Sequence, residues 1–347
     1  MAAVQLGPLD GIAILGAGSA FPALSLSNQE VLRNLPEPPR SEEQLQFLAA
    51  GATQTMGLEH RNWAHRVGAP LDHATEETTL DLALRAARAA LADAHLDPRD
   101  LSLILCATST PHRMTATVSA PLGAALGATA ACMDTRTGCS GGLFALTTAA
   151  LYVAAGSGPA LIVGAETFSK VIPPRHRGAQ LALGDGAGAL VVGRRDGARL
   201  LSAYLETDGS LGRLITTDGA LPPTTAEIER GGYQLSGAPE ELAQAVPARY
   251  QIALGAALLR AGLSGAQIDL FTPHQTSREL IAKVAAGAGI PLERTFVNVE
   301  RHAAIGAAGW MVALGEARAA GRCPPGTRLA IAAVGGGMSW AAAVLQC

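Results

Sequence analysis

Short runs of apolar residues alternate along the chain with longer runs rich in alanine and leucine. The short runs predict strands over residues 11–18, 101–110, 159–166, 186–193, 268–275 and 329–337. The longer runs predict helices over residues 78–96, 140–158, 249–263 and 277–289. Regular alternation of this kind is typical of α/β folds, in which parallel strands are joined by crossover helices. Several of the helical runs are apolar nearly all round, so we expect those helices to be buried on both sides.

The chain also contains a possible internal sequence repeat. The stretch AALADAHLDPRDLSLILCATST begins at Ala89, and the similar stretch AALLRAGLSGAQIDLFTPHQTS begins at Ala256, in register without a gap. Chance similarity within an α/β protein is one explanation. The unbroken register instead favours two similar halves, residues 1–195 and 196–347, packed face to face with a site between them. Residues 206–247 are richer in Gly, Pro and Thr. We expect them to form a surface segment that belongs to neither copy of the repeat.

Composition excludes several classes of function. The 347 residues are 48% hydrophobic and 16% charged, with a formal net charge of −3, and no run of Lys and Arg is present to hold a nucleic acid. No apolar run reaches membrane-spanning length without interruption, so we expect no membrane association. The five cysteines are scattered and lack C-x-x-C spacing. That pattern fits a reducing, cytoplasmic compartment, and predicts neither a disulfide framework nor a metal site.

Cys139 differs from the other cysteines because it stands in the stretch GCSGG directly before a strongly helical run. A thiol becomes nucleophilic when a helix N-terminus or a nearby imidazole stabilises its thiolate. We therefore expect Cys139 to be exposed on a tight strand-to-helix turn with a lowered pKa. The alternative is a small core residue, which is what the apolar surroundings of Cys106 and Cys132 predict for those two cysteines.

Two histidines are candidates for the same site. His274 follows the predicted strand IDLFT, and the carboxyl ends of parallel strands are where α/β folds place their chemistry. It also occupies a position where the first repeat carries a plain Ala-Thr-Ser loop. His302, in NVERHAAIGAAG, is the second candidate. A structural histidine is the alternative for either position.

Four motifs, in the right order and spacing, resemble those of the beta-ketoacyl-ACP synthase III group of the thiolase fold. GCSGGLFAL resembles the nucleophile segment, and ETFSKVIPPRHRGAQLALGDGAGALVVG is similar to the long loop and glycine-rich strand that follow it. DLFTPHQTSRELIAKVAAGAGIP resembles the segment with the catalytic histidine, and AIAAVGGGMSWAAAV the C-terminal glycine strand. The resemblance covers nearly the whole chain. It implies two similar halves packed as a five-layer α-β-α-β-α sandwich.

The resemblance also implies roles for individual residues. Cys139 would accept an acyl group from a thioester, and His274 would assist the second half-reaction. The backbone N–H groups of Cys139 and Gly336 would form the oxyanion hole. Acyl-CoA or an acyl carrier protein would be the substrate and partner, with no resident cofactor. The family would also dimerise through the strand PALIVGAE, giving a homodimer.

The sequence departs from the family pattern at several positions. The family's second hydrogen-bond donor, an asparagine, is replaced by Ala304, and His302 is the candidate to fill the gap. In the carrier-binding segment, Ser277 stands where the family has an asparagine, with Arg278 beside it. Met114 lies where some relatives carry a base that acts in the neighbouring subunit. We expect Met114 to line the acyl pocket across a dimer interface as a deformable apolar wall.

Three functions remain open from the sequence. The first is a condensing enzyme, in which a carbon nucleophile from a malonyl or related thioester attacks acyl-Cys139. The second is an acyltransferase of the same fold that moves the acyl group to an oxygen or nitrogen acceptor, which the missing asparagine favours. The third is a non-catalytic partner subunit, against which Cys139, His274 and Gly336 argue. We rank condensation first, in specialised polyketide- or fatty-acid-type metabolism.

Overall fold

The computed structural model describes residues 3–347 of the chain. Its strands are β1 Val4–Leu6, β2 Leu9–Ala20, β3 Leu24–Ser27, β4 His60–Trp63, β5 Leu103–Ala107, β6 Ala131–Thr135, β7 Ala160–Glu166, β8 Gly186–Thr207, β9 Ile215–Thr217, β10 Leu235–Gly237, β11 Leu270–Pro273, β12 Arg328–Gly335 and β13 Ser339–Gln346. Its helices are α1 Asn28–Arg33, α2 Glu42–Met56, α3 Thr79–Asp93, α4 Ser119–Leu126, α5 Gly141–Ala154, α6 Arg177–Ala182, α7 Thr225–Glu229, α8 Pro239–Ala261, α9 Arg278–Gly287, α10 Val299–His302 and α11 Gly309–Ala319.

The long strand β8 joins the two halves of the molecule. Its first part pairs with β7 and β2, and its second part pairs with β13 and β1. Within the described residues this gives the strand order β11-β12-β13-β8-β7-β5-β6. The pairs β5–β6, β5–β7 and β11–β12 are parallel, whereas β8 is antiparallel to its neighbours, so the sheet is mixed rather than purely parallel.

Three helical layers sandwich the two halves of the sheet. Helices α3 and α4 cover one outer face, α8 and α9 cover the other, and α5 and α11 lie between the sheets. In β5, Leu103 and Leu105 contact the central layer while Ile104 and Cys106 contact the outer one. This is why buried strands are apolar without interruption and why α5 is apolar all round. The five-layer arrangement that we predicted is confirmed.

Both copies of the internal repeat form the same succession of elements. In the first copy, α3 leads through a short turn at Pro98–Asp100 into β5. In the second copy, α8 leads through a short turn at Gly265–Gln267 into β11. The division placed between residues 195 and 196 falls inside β8, within an exposed stretch at residues 194–197, and stays a prediction.

Two expectations differ from the structure. Helix α8 begins at Pro239 and contains Pro247, so the end of the predicted surface excursion belongs to a helix. The prediction of a dimer interface along PALIVGAE is wrong, because β7 is paired with β5 on one edge and with β8 on the other. Within the described part of the chain, β6 is the strand that ends this side of the sheet.

A buried carboxylate ties the loops around the site to the start of β8. Asp185 is fully buried and accepts hydrogen bonds from Ala64 N at 2.7 Å and Ser169 N at 2.9 Å. The Ser169 hydroxyl donates to it as well. Burial raises the pKa of Asp185 to about 6, against the effect of these donors.

We predict that Asp185→Ala lowers the free energy of unfolding by about 3 kcal/mol, because it leaves several buried donors without an acceptor. Urea denaturation measures the change. The same exchange at exposed Asp196 should change stability by less than about 0.5 kcal/mol. Equal stability of the two variants would show that the Asp185 network does not hold these loops.

Candidate active site

Cys139 lies in the short turn Gly138–Ser140, which connects β6 to α5. The turn is closed by Ser140 Oγ, which donates to Thr137 O at 2.7 Å, and Gly138 adopts a φ of +56° that favours glycine. Cys139 therefore stands at the amino end of the 14-residue helix α5, where the helix dipole favours negative charge.

The glycine end of β12 packs directly on this turn. A Cβ atom on Gly335 would lie 2.7 Å from Ser140 N, and a Cβ on Gly138 would lie 2.9 Å from Gly336 O. Neither glycine could carry a side chain without moving the other segment. The backbone of Gly335 is thereby brought against Cys139 and that of Gly336 against Gly138, so the two segments that would supply the N–H groups of an oxyanion hole lie side by side.

His274 follows β11 and is held by its own backbone, whose N–H donates to Ala332 O at 2.8 Å on the neighbouring strand β12. Its side chain is only 2% exposed. Burial lowers the pKa of His274 to about 4, so the imidazole is neutral near pH 7. Among the described residues its Nδ1 has no hydrogen-bond partner.

Cys139, His274, Ala304, Gly336 and Ser277 line one cavity of about 450 Å³. Helix α8 forms one of its walls and the start of α9 forms another. The wall from α8 contains Leu242, Val246, Pro247 and Tyr250. Most of the exposed lining is apolar, which suits an acyl chain.

The pKa of the Cys139 thiol is raised, whereas we expected it to be lowered. Burial, followed by the charge of nearby Glu166, raises the pKa of Cys139 to about 12. Glu166 is fully buried and accepts hydrogen bonds from Thr110 Oγ1 at 2.7 Å and Ser109 N at 3.0 Å. Burial also raises the pKa of Glu166, to about 7. The sequence predicted only the effect of the helix N-terminus, which burial of the thiol outweighs, with a smaller contribution from the Glu166 carboxyl group.

Ala304 lies in the cavity wall where the family pattern expects an asparagine. Its backbone is fixed on both sides, since Ala304 N donates to Ala182 O at 2.9 Å and its carbonyl accepts from Gly184 N at 3.0 Å. A methyl group at this point of the wall supplies no hydrogen-bond donor.

The structure does not bring His302 to this cavity. Its ring stacks on Phe21 with centroids 4.2 Å apart, and Nε2 lies 2.8 Å from Glu316 Oε1. The intervening Ala303 has a φ of +54°, and this turn in the backbone separates the direction of His302 from that of Ala304. A role for His302 as the replacement donor has no support in this position, and the structural alternative fits it.

The three expected substrate-binding residues lie in different places. Ser277 lines the cavity and caps α9, accepting from Leu280 N at 3.2 Å. Arg278 points away from the cavity, against Gly57 and 3.9 Å from Glu300. Met114 is 70% exposed and lines a separate surface depression together with Asp134 and Arg136, beside the end of β6.

Sequence reasoning missed two residues of the site. Glu166 was visible in the motif ETFSK, but nothing in the sequence showed that its carboxyl group lies near the thiol. Tyr250 falls inside a predicted helix, and only the packing of α8 turns its side chain toward the cavity.

Within residues 3–347 there is no group of three or more His, Cys, Asp or Glu side chains that could hold a metal ion. None of the described helices is both long and apolar enough to cross a membrane.

Comparison with known proteins finds the same family along most of the chain. Residues 133–209 match the family described as 3-oxoacyl-[acyl-carrier-protein (ACP)] synthase III, and residues 258–347 match its C-terminal domain. The beta-ketoacyl-[acyl-carrier-protein] synthase III of Rhizorhabdus wittichii is 34% identical over 337 residues, covering 96% of this chain and 98% of the relative.

Solved structures give the same result. The 3-oxoacyl-[acyl-carrier-protein] synthase III of Aquifex aeolicus is 28% identical with a TM-score of 0.85, covering 97% of this chain and 100% of that one. A priming beta-ketosynthase from a polyketide biosynthetic pathway is 25% identical with a TM-score of 0.84, covering 99% of this chain and 98% of that one.

We predict that alkylation of Cys139 by iodoacetamide accelerates about tenfold per pH unit between about pH 7 and pH 10 without levelling, because only the thiolate reacts. Peptide mass spectrometry follows the rate. Glu166→Gln should raise the rate at about pH 9 several-fold, since it removes a charge that opposes the thiolate.

Exposed Glu229 provides the control, and Glu229→Gln should leave the rate unchanged. A rate that levels off below about pH 9 would mean that Cys139 has an ordinary or lowered thiol pKa, contrary to the structure.

Proposed function

The chain belongs to the 3-oxoacyl-[acyl-carrier-protein] synthase III family of acyl-transferring condensing enzymes, and from this premise we propose that Cys139 carries the acyl group that is condensed. The observation that supports this role is the convergence of Cys139, His274 and Gly336 on one largely apolar cavity. These three residues come from distant parts of the sequence and from both halves of the fold. Their convergence also argues against a non-catalytic partner subunit.

In the first half-reaction, the Cys139 sulfur attacks the carbonyl carbon of an acyl thioester. The N–H groups of Cys139 and Gly336 receive the negative charge that develops on the carbonyl oxygen. The thioester bond to the donor breaks as the bond to Cys139 forms, and the departing thiol takes up the proton that Cys139 loses. One thiol replaces another, so the step needs no net proton acceptor.

In the second half-reaction, a malonyl-type thioester loses carbon dioxide, and the resulting enolate carbon attacks the acyl carbonyl on Cys139. A carbon–carbon bond forms, the bond to sulfur breaks, and Cys139 regains a proton from solvent. The neutral imidazole of His274 donates a hydrogen bond to the enolate oxygen. Its low pKa keeps the ring free of its own charge, so the ring does not require a counter-ion in a buried cavity.

Acyl-CoA or acyl carrier protein would supply the thioesters, as substrates and not as resident cofactors. Ser277 lies at the start of α9 in the cavity wall, where a thioester arm can reach it. Arg278 stands outside the cavity, beside Glu300, where it can meet the surface of a carrier protein.

Transfer of the acyl group to an oxygen or nitrogen acceptor is the second candidate. The observation that favours it is Ala304, which removes a donor that enolate formation uses and that simple acyl transfer does not need. In this case the neutral imidazole of His274 would accept the proton of the attacking hydroxyl or amine.

A homodimer formed through β6 would fit the exposed features of this side of the molecule. Ala131 N donates to Ser102 O at 3.1 Å, and Thr135 O accepts from Thr108 N at 3.4 Å, so these alternate positions of β6 face β5. The intervening N–H of Cys132 then points to the free edge. Two-fold pairing along this edge would bring exposed Met114 to the partner subunit.

We predict that Cys139→Ala abolishes acyl loading, and that His274→Ala loads at close to the normal rate but slows transfer to the acceptor by about 100-fold, the scale of one lost catalytic donor. Intact-mass measurement across a panel of acyl-CoA and acyl-carrier thioesters identifies the loaded species, and its decay gives the transfer rate.

His302→Gln is the matched control, because His302 lies outside the cavity, and this variant should load and transfer normally. Loading of Cys139→Ala would refute the assigned nucleophile. Normal transfer by His274→Ala would remove His274 from the second half-reaction.

We predict that the protein is a dimer at micromolar concentration and that Cys132→Pro makes it monomeric, because proline removes the N–H that faces the free edge. Sedimentation velocity measures the mass in solution. Cys132→Ala keeps this N–H and should remain dimeric. A monomeric wild-type protein, or a dimeric proline variant, would contradict pairing through β6.

A further inference from the structure

Tyr250 places a phenol in the wall of the acyl cavity. It lies on α8 and packs with Val334 and Met338 in the outer core, and it is only 1% exposed. It also lines the same cavity as Cys139 and His274. A tyrosine at this position is therefore both a core residue and a polar group beside the nucleophile.

The phenol oxygen of Tyr250 is unusual in its hydrogen bonding. Among the described residues, Tyr250 Oη is buried and its O–H has no acceptor, although the N–H of Val334 lies close enough to the oxygen to affect its pKa. Tyr204, in the same core cluster, shows the ordinary arrangement, because its Oη donates to Glu206 Oε2 at 2.5 Å. A buried hydroxyl without an acceptor is costly, and one in a cavity wall is available to donate to a bound ligand.

The protonation state of Tyr250 makes it a donor. Burial, followed by the charge of Cys139, raises the pKa of the phenol well above its usual value, and the N–H of Val334 opposes this only in part. The O–H proton is therefore retained near pH 7.

The cavity needs one more donor at the second step. In loading, the N–H groups of Cys139 and Gly336 already provide two donors for the oxyanion. In the second half-reaction, His274 faces the developing enolate without the partner that an asparagine at position 304 would supply, because that residue is alanine.

We propose that Tyr250 Oη donates a hydrogen bond to the thioester carbonyl oxygen of the second substrate, and so supplies from α8 the donor that Ala304 cannot supply. The inference rests on the condensing function proposed above. No atom is transferred through Tyr250. As the malonyl-type thioester loses carbon dioxide, negative charge collects on its carbonyl oxygen, and the hydrogen bond strengthens at that moment.

A purely structural role for Tyr250 makes the opposite prediction for stability. If the hydroxyl only supported the fold, its removal would lower the melting temperature. If it is an unsatisfied donor kept for the substrate, Tyr250→Phe removes a buried polar group while keeping the ring, and the melting temperature should stay the same or rise.

The test compares Tyr250→Phe with Tyr204→Phe in the full-length protein. A malonyl thioester is added to acyl-loaded enzyme, and loading, transfer and melting temperature are measured separately. We expect Tyr250→Phe to slow transfer by about 10- to 100-fold, with loading within about threefold of the wild type and no loss of melting temperature. Tyr204→Phe should lower the melting temperature and leave both rates unchanged.

Transfer by Tyr250→Phe within about twofold of the wild type would overturn the inference and leave the proposed function standing. Equal losses in loading and transfer would overturn it as well, because they would place the phenol at a feature common to both steps. Failure of the wild-type enzyme itself to transfer to any malonyl thioester would refute the proposed function, and this inference with it.

Discussion

The backbone contact between the end of β12 and the nucleophile turn is the constraint on which the site depends. Gly335 and Gly138 have no room for side chains, so the two segments touch through their peptide groups alone. Because β12 also pairs with β11, the same strand fixes the position of His274. A single packing contact thereby sets the thiol, the backbone donors and the imidazole around one cavity, and it joins the two halves of the fold at the point where the chemistry takes place.

Cys139, His274 and Tyr250, three titratable groups of this cavity, share a preference for their neutral forms. Burial raises the pKa of Cys139 to about 12 and lowers that of His274 to about 4, and it keeps the phenol of Tyr250 protonated. Charge therefore develops mainly when a thioester reacts, at carbonyl oxygens that fixed donors can reach. Preorganised donors in a dry cavity stabilise such charge more strongly than water does. Because these side chains are uncharged, an apolar acyl chain can lie beside them along α8.

The strands, the helices and the two central site residues could be predicted from local patterns, whereas the five-layer packing was implied by the family resemblance. Uninterrupted apolar runs indicate strands that are covered on both faces. The repeated stretches that begin at Ala89 and Ala256 indicate the repeated helix and strand. The dimer strand was misassigned because it was carried over from the family resemblance to PALIVGAE. The strand that ends this side of the sheet, β6, was not predicted from the sequence, and only its pairing identifies it. Glu166, Tyr250 and the outward direction of His302 were also beyond prediction, since each depends on contacts between distant segments.

The central claim is that acyl-Cys139 is consumed by a decarboxylating carbon nucleophile even though position 304 is alanine. Its most direct test is the amount of carbon dioxide released from a carboxyl-labelled malonyl thioester for each acyl group lost from Cys139. The account predicts one molecule of carbon dioxide per acyl group, with a product that contains both carbon chains. Loss of the acyl group to a hydroxyl or amine acceptor without release of carbon dioxide would contradict it.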